Sequence, residues 1–344
     1  MRGLAKWLAF LAALVLAGPA MAEDFIIIAH RGASGERPEH TLAAYELGID
    51  QGADFIEPDL VATKDGVLVA RHENEISETT DVADRPEFAD RRATKLIDGQ
   101  EFTGWFTEDF TLAELRTLRA RERLPQLRPA NTAFDGLYQV PTLAEIIALV
   151  RAKEAETGRA IGLYPEIKHP TYFIGQGHDL ATMLVEELHE AGYRGEDAKV
   201  FIQCFEVGPL VRLDGMTEIP LVQLVAADFG PADQPGRLYA DMLGEEGLAK
   251  IATYADGIGA DWRLLLSPFN GSDTGLVARA HEAGLLVHAW TLRQAAAFLP
   301  PWASGNASRI FSALYRAQAD GVFADSPGRA VDFLKRLTPN NGSQ

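Results

Sequence analysis

The chain has 344 residues, of which 47% are hydrophobic and 24% charged, an ordinary globular composition long enough for a substantial core. Its formal net charge of −17 repels phosphate backbones and anionic membranes at long range, which argues against nucleic acid as a partner and leaves any phosphate-bearing ligand to local cations or a bound metal. A single cysteine, Cys204, forbids an intramolecular disulfide and, inside an apolar run, reads as buried filler rather than a nucleophile.

In chain order, Arg2 and Lys6 come first, then the apolar stretch 7–16 and the small-residue pattern Ala20-Met21-Ala22. This is the layout of a cleavable secretory signal. The apolar stretch falls short of the ~20 residues a membrane span needs. Residues 1–22 are therefore expected to be removed after Ala22, leaving an exported chain from Glu23, two positive charges poorer and without a membrane anchor.

From residue 25 onward, apolar strand-like runs alternate with helical patterns. The runs are 25–30, 54–61, 161–168, 199–205, 219–225, 257–262, 285–291 and 321–324. They are mostly unalternating and β-branched, which suits parallel strands buried on both faces. Helices are expected at 41–51, 142–156, 179–191, 247–255, 275–283 and 328–337, and Thr142-Leu-Ala-Glu145 after Pro141 spells a capping box. Eight such units point to an α/β fold of the (β/α)8 TIM-barrel type, with a doubly wound open sheet as the alternative.

Between the second and third runs, Lys64-Asp65-Gly66 marks a turn into a short strand at 67–71 that delivers His72. Residues 73–140 are polar and loop-rich, with Trp105 and one expected helix at 112–120, and are too long for a barrel connection. They read as an insertion over the barrel mouth, or as a surface loop, within one catalytic domain spanning 23–337. A second long connection, 293–320, carries Pro300-Pro301 and a helix near 308–318. Residues 338–344 read as a disordered tail.

The ionisable residues gather at strand ends, where a parallel barrel places its catalytic groups. Residues i and i+2 of a strand share a face, so Glu57 with Asp59, and Glu166 with Lys168, are each expected to point together into the mouth. Three convergent carboxylates repel one another unless a cation joins them. All-oxygen ligation suits Ca²⁺ first and Mg²⁺ second, over Zn²⁺. His30 and His72, on adjacent strands beside this cluster, are the candidate acid and base. Arg31 offers a planar fork to phosphate oxygens, Lys168 adds a point charge, and Gly32 is expected to let the backbone approach a ligand closely. Trp290, sharing a strand face with His288, offers either an apolar wall for substrate or core packing. His40, His169, His178, His189 and His281 are read as surface or structural.

The set His30-Arg31-Gly32-Ala33, Pro38-Glu39-His40-Thr41, Glu57-x-Asp59, His72 and Glu166-Ile167-Lys168 resembles the glycerophosphodiester phosphodiesterase family over nearly the whole mature chain. Tyr164-Pro-Glu-Ile-Lys168, Gln203-Cys-Phe205, Tyr254-Ala-Asp-Gly-Ile-Gly259 and Thr79-Thr-Asp-Val-Ala83 are similar to its periplasmic branch. The resemblance implies a (β/α)8 barrel with an inserted segment and a metal held by Glu57, Asp59 and Glu166. It also implies acid/base roles for His30 and His72, with Arg31 and Lys168 near the phosphate. The implied reaction releases sn-glycerol 3-phosphate and an alcohol from small diesters such as glycerophosphocholine. Many members have His-Asp where this chain has His72-Glu73, and Asn where it has His40. A phospholipase-type diesterase acting on intact lipids and an exported glycerophosphodiester-binding protein without turnover are the other readings.

Overall fold

The computed structural model describes residues 25–338, so the expected export signal and all but the first residue of the expected tail lie outside the described residues. The first strand, Ile26–His30, is an apolar run that ends in the histidine. The second run is one strand in two pieces, Phe55–Glu57 and Asp59–Ala62, divided at Pro58. The third is likewise Gly162–Leu163 and Glu166–Ile167, divided at Pro165. Proline has no N–H for the ladder, so pairing pauses at each. The pieces still match: Ile56 lies opposite Leu163, and Asp59 opposite Glu166.

Ile202–Cys204, Leu221–Val225, Gly257–Asp261, Leu286–Leu292 and Gly321–Ala324 follow, each parallel to its predecessor. Gly321–Ala324 then pairs with Ile26–His30 and Ile26–His30 with Phe55–Glu57, which closes a ring of eight parallel strands and excludes the open sheet. The short strand Leu68–Ala70 adds antiparallel to Asp59–Ala62 and leads to His72.

Helices alternate with the strands. Leu143–Thr157 begins with the expected reciprocal cap, Thr142 accepting from the Glu145 N–H while Glu145 accepts from the Thr142 N–H. Three helices escape the sequence pattern, the short Pro170–Gly175 and Trp262–Leu265, and Val207–Asp214 between the fourth and fifth strands. In Val207–Asp214, Gly208 and Pro209 sit in the first turn, where the N–H groups have no intrahelical acceptor and proline is tolerated.

The ring is filled from within. Ile28, Phe55, Tyr164, Val222 and Phe323 form an apolar plug separate from the larger core between sheet and helices. Gly162 makes room for it, because a Cβ there would lie 2.1 Å from the Phe55 ring. His288 is buried in the same interior, its Nδ1 2.7 Å from the Tyr164 hydroxyl, and burial holds it neutral with a pKa lowered to about 4. Two residues further along, the strands present His30, Glu57, Glu166, Gln203 and Leu224 above the plug. The polar layer of the mouth thus rests on a dry floor.

Residues 73–140 contain a hairpin, Ala93–Ile97 with Gln100–Gly104, whose turn residues Asp98 and Gly99 have φ of 49° and 80°. The expected helix at 112–120 is a single capped turn, Leu112–Leu115. It stops because the Arg119 N–H donates to Asp81 and Ala120 bridges to Thr80, which pulls the chain out of helical register. Among the described residues no helix is long and apolar enough to cross a membrane.

Candidate active site

A cavity of about 630 Å³ opens at the C-terminal ends of the barrel strands, within the size range of small-ligand sites. His30, Arg31, Glu57, Asp59, His72, Glu166, Lys168 and Trp290 all line it, so the structure brings together every candidate site residue of the sequence. The hairpin contributes Ile97, Asp98, Gln100 and Phe102 to the rim, placing part of the 73–140 segment at the mouth.

Glu57, Asp59 and Glu166 are buried, and each offers an oxygen within 4.8 Å of the others. Their electrostatics are those of a cluster that needs a cation. Burial, then the neighbouring Asp59, pushes Glu57 well above the usual carboxylate range. Burial likewise raises Glu166 to about 8, against the pull of Lys168. Asp59 is also raised by burial, but Lys168 and His40 outweigh this and hold it well below its usual value. Asp59 Oδ1 is buried without any hydrogen-bond partner. An acceptor of that kind is costly to leave bare, and a hard divalent cation among oxygen ligands satisfies it. The donor set therefore fits Ca²⁺ or Mg²⁺.

Each carboxylate is aimed by a neighbour. The Arg31 N–H donates to Glu57 Oε2 at 2.7 Å, which the left-handed backbone of Arg31, φ 58°, makes possible. His40 lies 2.9 Å from Asp59 Oδ2 through Nε2, with its Nδ1 2.7 Å from the Tyr45 hydroxyl. It is fully buried, so the surface half of its sequence reading fails and the structural half holds. Lys168 Nζ donates to Glu166 Oε1 at 2.7 Å. Gly32 permits a close approach to the helix Leu42–Asp50, since an added Cβ would lie 2.5 Å from the Ala44 carbonyl carbon.

Both histidines carry a carboxylate on Nδ1. His30 lies 2.7 Å from Asp325, which follows the eighth strand, and His72 lies 2.5 Å from Glu73. Glu73 thus stands where aspartate is common and still reaches the ring. Two arginines of the 73–140 segment extend these pairs inward. Arg128 binds Asp325. Arg123 binds both Glu73 and Glu39, each at 2.6 Å, and Glu39 in turn accepts from Arg31 Nη1 at 3.2 Å. Part of the Arg31 fork is therefore engaged within the protein.

Trp290 donates from Nε1 to the Gly259 carbonyl at 2.8 Å and stands edge-on to Phe205, forming an aromatic wall of the cavity. Cys204 is buried, and burial raises its thiol well above the usual range, which keeps it inert. His169 lies at the rim, 2.5 Å from Asp98 of the hairpin turn. His178, His189 and His281 are outside the cavity lining.

The sequence reading left out Asp325, Glu39, Arg123, Arg128 and Gln203 as site residues. Asp325 immediately follows a barrel strand, a position that signals function by itself. The hairpin was also detectable, because Asp98-Gly99 is the dipeptide of a type I′ turn. Arg123 and Arg128 carry no local signal.

Comparison with known proteins agrees with this geometry. The model of the glycerophosphoryl diester phosphodiesterase family matches residues 30–329. A glycerophosphodiester phosphodiesterase of Arabidopsis thaliana is 36% identical over 329 residues, covering 91% of this chain and 86% of its own. One from Haemophilus influenzae is 33% identical over 350 residues, covering 94% and 93%. In fold, the chain matches the Oleispira antarctica phosphodiesterase solved with the product sn-glycerol-3-phosphate, with a TM-score of 0.61 at 22% identity over 90% of this chain and 96% of that one. The chain belongs to the glycerophosphoryl diester phosphodiesterase family.

Proposed function

We propose that this protein hydrolyses glycerophosphodiesters such as glycerophosphocholine and glycerophosphoethanolamine to sn-glycerol 3-phosphate and an alcohol. The observation that carries the reading is the buried Glu57, Asp59 and Glu166 cluster facing the same cavity as two carboxylate-supported histidines. Those three residues would hold the cation, Ca²⁺ in preference to Mg²⁺. When bound, it supplies positive charge for a phosphoryl oxygen. Lys168 and the free edge of Arg31 add charge where the phosphate sits. One histidine takes a proton from the attacking oxygen while the other gives one to the leaving alkoxide, each oriented through Nδ1 by Asp325 or Glu73. Trp290 with Phe205 forms the wall for an organic group of the diester.

The test is release of sn-glycerol 3-phosphate from a panel of diesters by chelated and metal-restored enzyme. Turnover of short diesters, lost with chelator and regained with Ca²⁺, is the expected result. Unchanged turnover in chelator removes the cation from the reading. One observation favours a second reading, a diesterase on intact or lysolipids: Phe102 and Phe229 at the cavity are 39% and 51% exposed. A lysophospholipid in the same panel decides it, and preference for that substrate over glycerophosphocholine would reverse the assignment.

We further propose that residues 73–140 are a single insertion in one catalytic domain, and that the protein belongs to the periplasmic branch and is exported with cleavage after Ala22. The N-terminal layout supports export. Sequencing the mature protein is expected to begin at Glu23, and an uncleaved, membrane-extracted chain would overturn this.

A further inference from the structure

Gln203 stands on the fourth strand opposite Glu166 and is 1% exposed. Its Nε2 donates to Glu57 Oε1 at 3.3 Å and to the Tyr164 main-chain carbonyl at 3.4 Å. The Tyr164 carbonyl is a pure acceptor, and so is Glu57 once a bound cation holds it ionised. Turning the amide over would set its oxygen against a carboxylate and a carbonyl, so the hydrogen-bond chemistry fixes which end points where. Oε1 is consequently left buried without a partner, in a residue that lines the cavity.

Four cavity-lining side chains carry such an unpartnered atom: Arg31 Nε, Arg293 Nε, Asp59 Oδ1 and Gln203 Oε1. The two arginine nitrogens keep only ion-pair contacts, 3.5 Å to Asp59 and 3.4 Å to Asp325. All four belong to residues that line the same cavity, and each has a chemistry that selects its partner. Charged N–H donors complement phosphoryl oxygens. A bare carboxylate oxygen complements a cation. A neutral buried acceptor complements a neutral donor, and on a glycerophosphodiester that donor is a hydroxyl.

Resting on the proposed reaction, we propose that Gln203 Oε1 accepts a hydrogen bond from a free hydroxyl of the glycerol moiety, which makes Gln203 a specificity-determining residue for that side of the diester. Its Nε2 fixes Glu57 at the same time. The residue therefore couples recognition of glycerol to the acidic cluster without carrying charge into it. Specificity of this kind is stringent, because a ligand without the hydroxyl leaves the amide oxygen bare in the complex.

The experiment is calorimetric binding of sn-glycerol 3-phosphate and of its two monodeoxy analogues, each lacking one hydroxyl, to the Ca²⁺-saturated protein and to Gln203→Met. The unsubstituted protein is expected to bind glycerol 3-phosphate at least about tenfold tighter than one of the analogues. Gln203→Met is expected to bring that ratio close to one when each protein is saturated with Ca²⁺, while Ca²⁺ affinity measured without ligand falls by up to about 10–100-fold because Glu57 loses an outer-shell partner. Thermal melting checks the fold, and Gln203→Leu replaces the methionine variant if that one does not melt cooperatively. Equal binding of all three ligands by the unsubstituted protein overturns the proposal, as does a variant that keeps the ratio. Loss of all measurable Ca²⁺ binding also overturns it, since Gln203 would then be a ligand of the cation and not the outer-shell partner of Glu57. Turnover of a diester tests the reaction separately, so the two readings can fail independently.

Discussion

Replacing Glu57, Asp59 or Glu166 singly by alanine is expected to abolish most activity and to weaken divalent-cation binding by at least about 10²-fold. Loss of an outer-shell partner of a metal ligand already costs about 10–100-fold in affinity or activity, and loss of the ligand itself costs no less. The three losses differ in what they leave behind. Without Asp59, the buried His40 and Arg31 lose a partner, and a stranded buried charge or donor is destabilising. Without Glu57 or Glu166, the apo site is relieved of a carboxyl group that burial already pushes upward, but the Arg31 N–H and Gln203 amide, or the buried Lys168 ammonium, lose an acceptor, so the fold is expected to persist with a partial loss of apo stability. A readout independent of turnover follows from linkage. A cation that binds only the native state raises the melting temperature, and that rise is expected to shrink or vanish in each variant. Near-normal, chelator-resistant turnover in any of the three would remove the cation from the site.

The reading of the barrel from sequence succeeded where physical constraints are local. Residues 25–29 and 321–324 are short apolar runs because their strands are covered on both faces, and their length with β-branched residues favours a strand over a buried helix. Glu57 and Asp59 were legible as a pair because the alternation of a strand survives the interruption at Pro58. What escaped depends on long-range contact. His40 sits between Glu39 and Thr41 in a turn with no periodicity, and its burial comes from Asp59, nineteen positions away. Arg123 and Arg128 lie in a polar segment where several arginines look alike. Only the path of the chain over the mouth selects these two, one for Glu39 and Glu73 and the other for Asp325. Gly32 reads from sequence as a glycine for close approach to a ligand, and its contact with the Ala44 backbone follows only from how the helix Leu42–Asp50 packs.

Replacing His30 or His72 by alanine is expected to cost about 10²-fold or more in turnover, with the double variant losing far less than the product of the two, because a proton-transfer pair acts as a unit. Burial and Arg31 lower His30 to about 4, against the hydrogen bond it donates to Asp325, which raises it. Burial, then Arg31 and Lys168, lowers His72 to about 3, although a third of its side chain is open to the mouth. A histidine base works only when neutral. At saturating cation, the acidic limb of kcat/KM is therefore expected to fall below the ordinary histidine value of about 6.5. The supporting carboxylates then identify the base. Asp325→Asn removes a charge that raises His30, so it moves the acidic limb to lower pH if His30 is the base and leaves it in place if His72 is. Glu73→Gln does the converse. A limb that moves with neither variant, or a His30→Ala or His72→Ala enzyme that turns over glycerophosphocholine within a few-fold of the unsubstituted enzyme, would take the histidine concerned out of the proton transfer and leave it an orienting group.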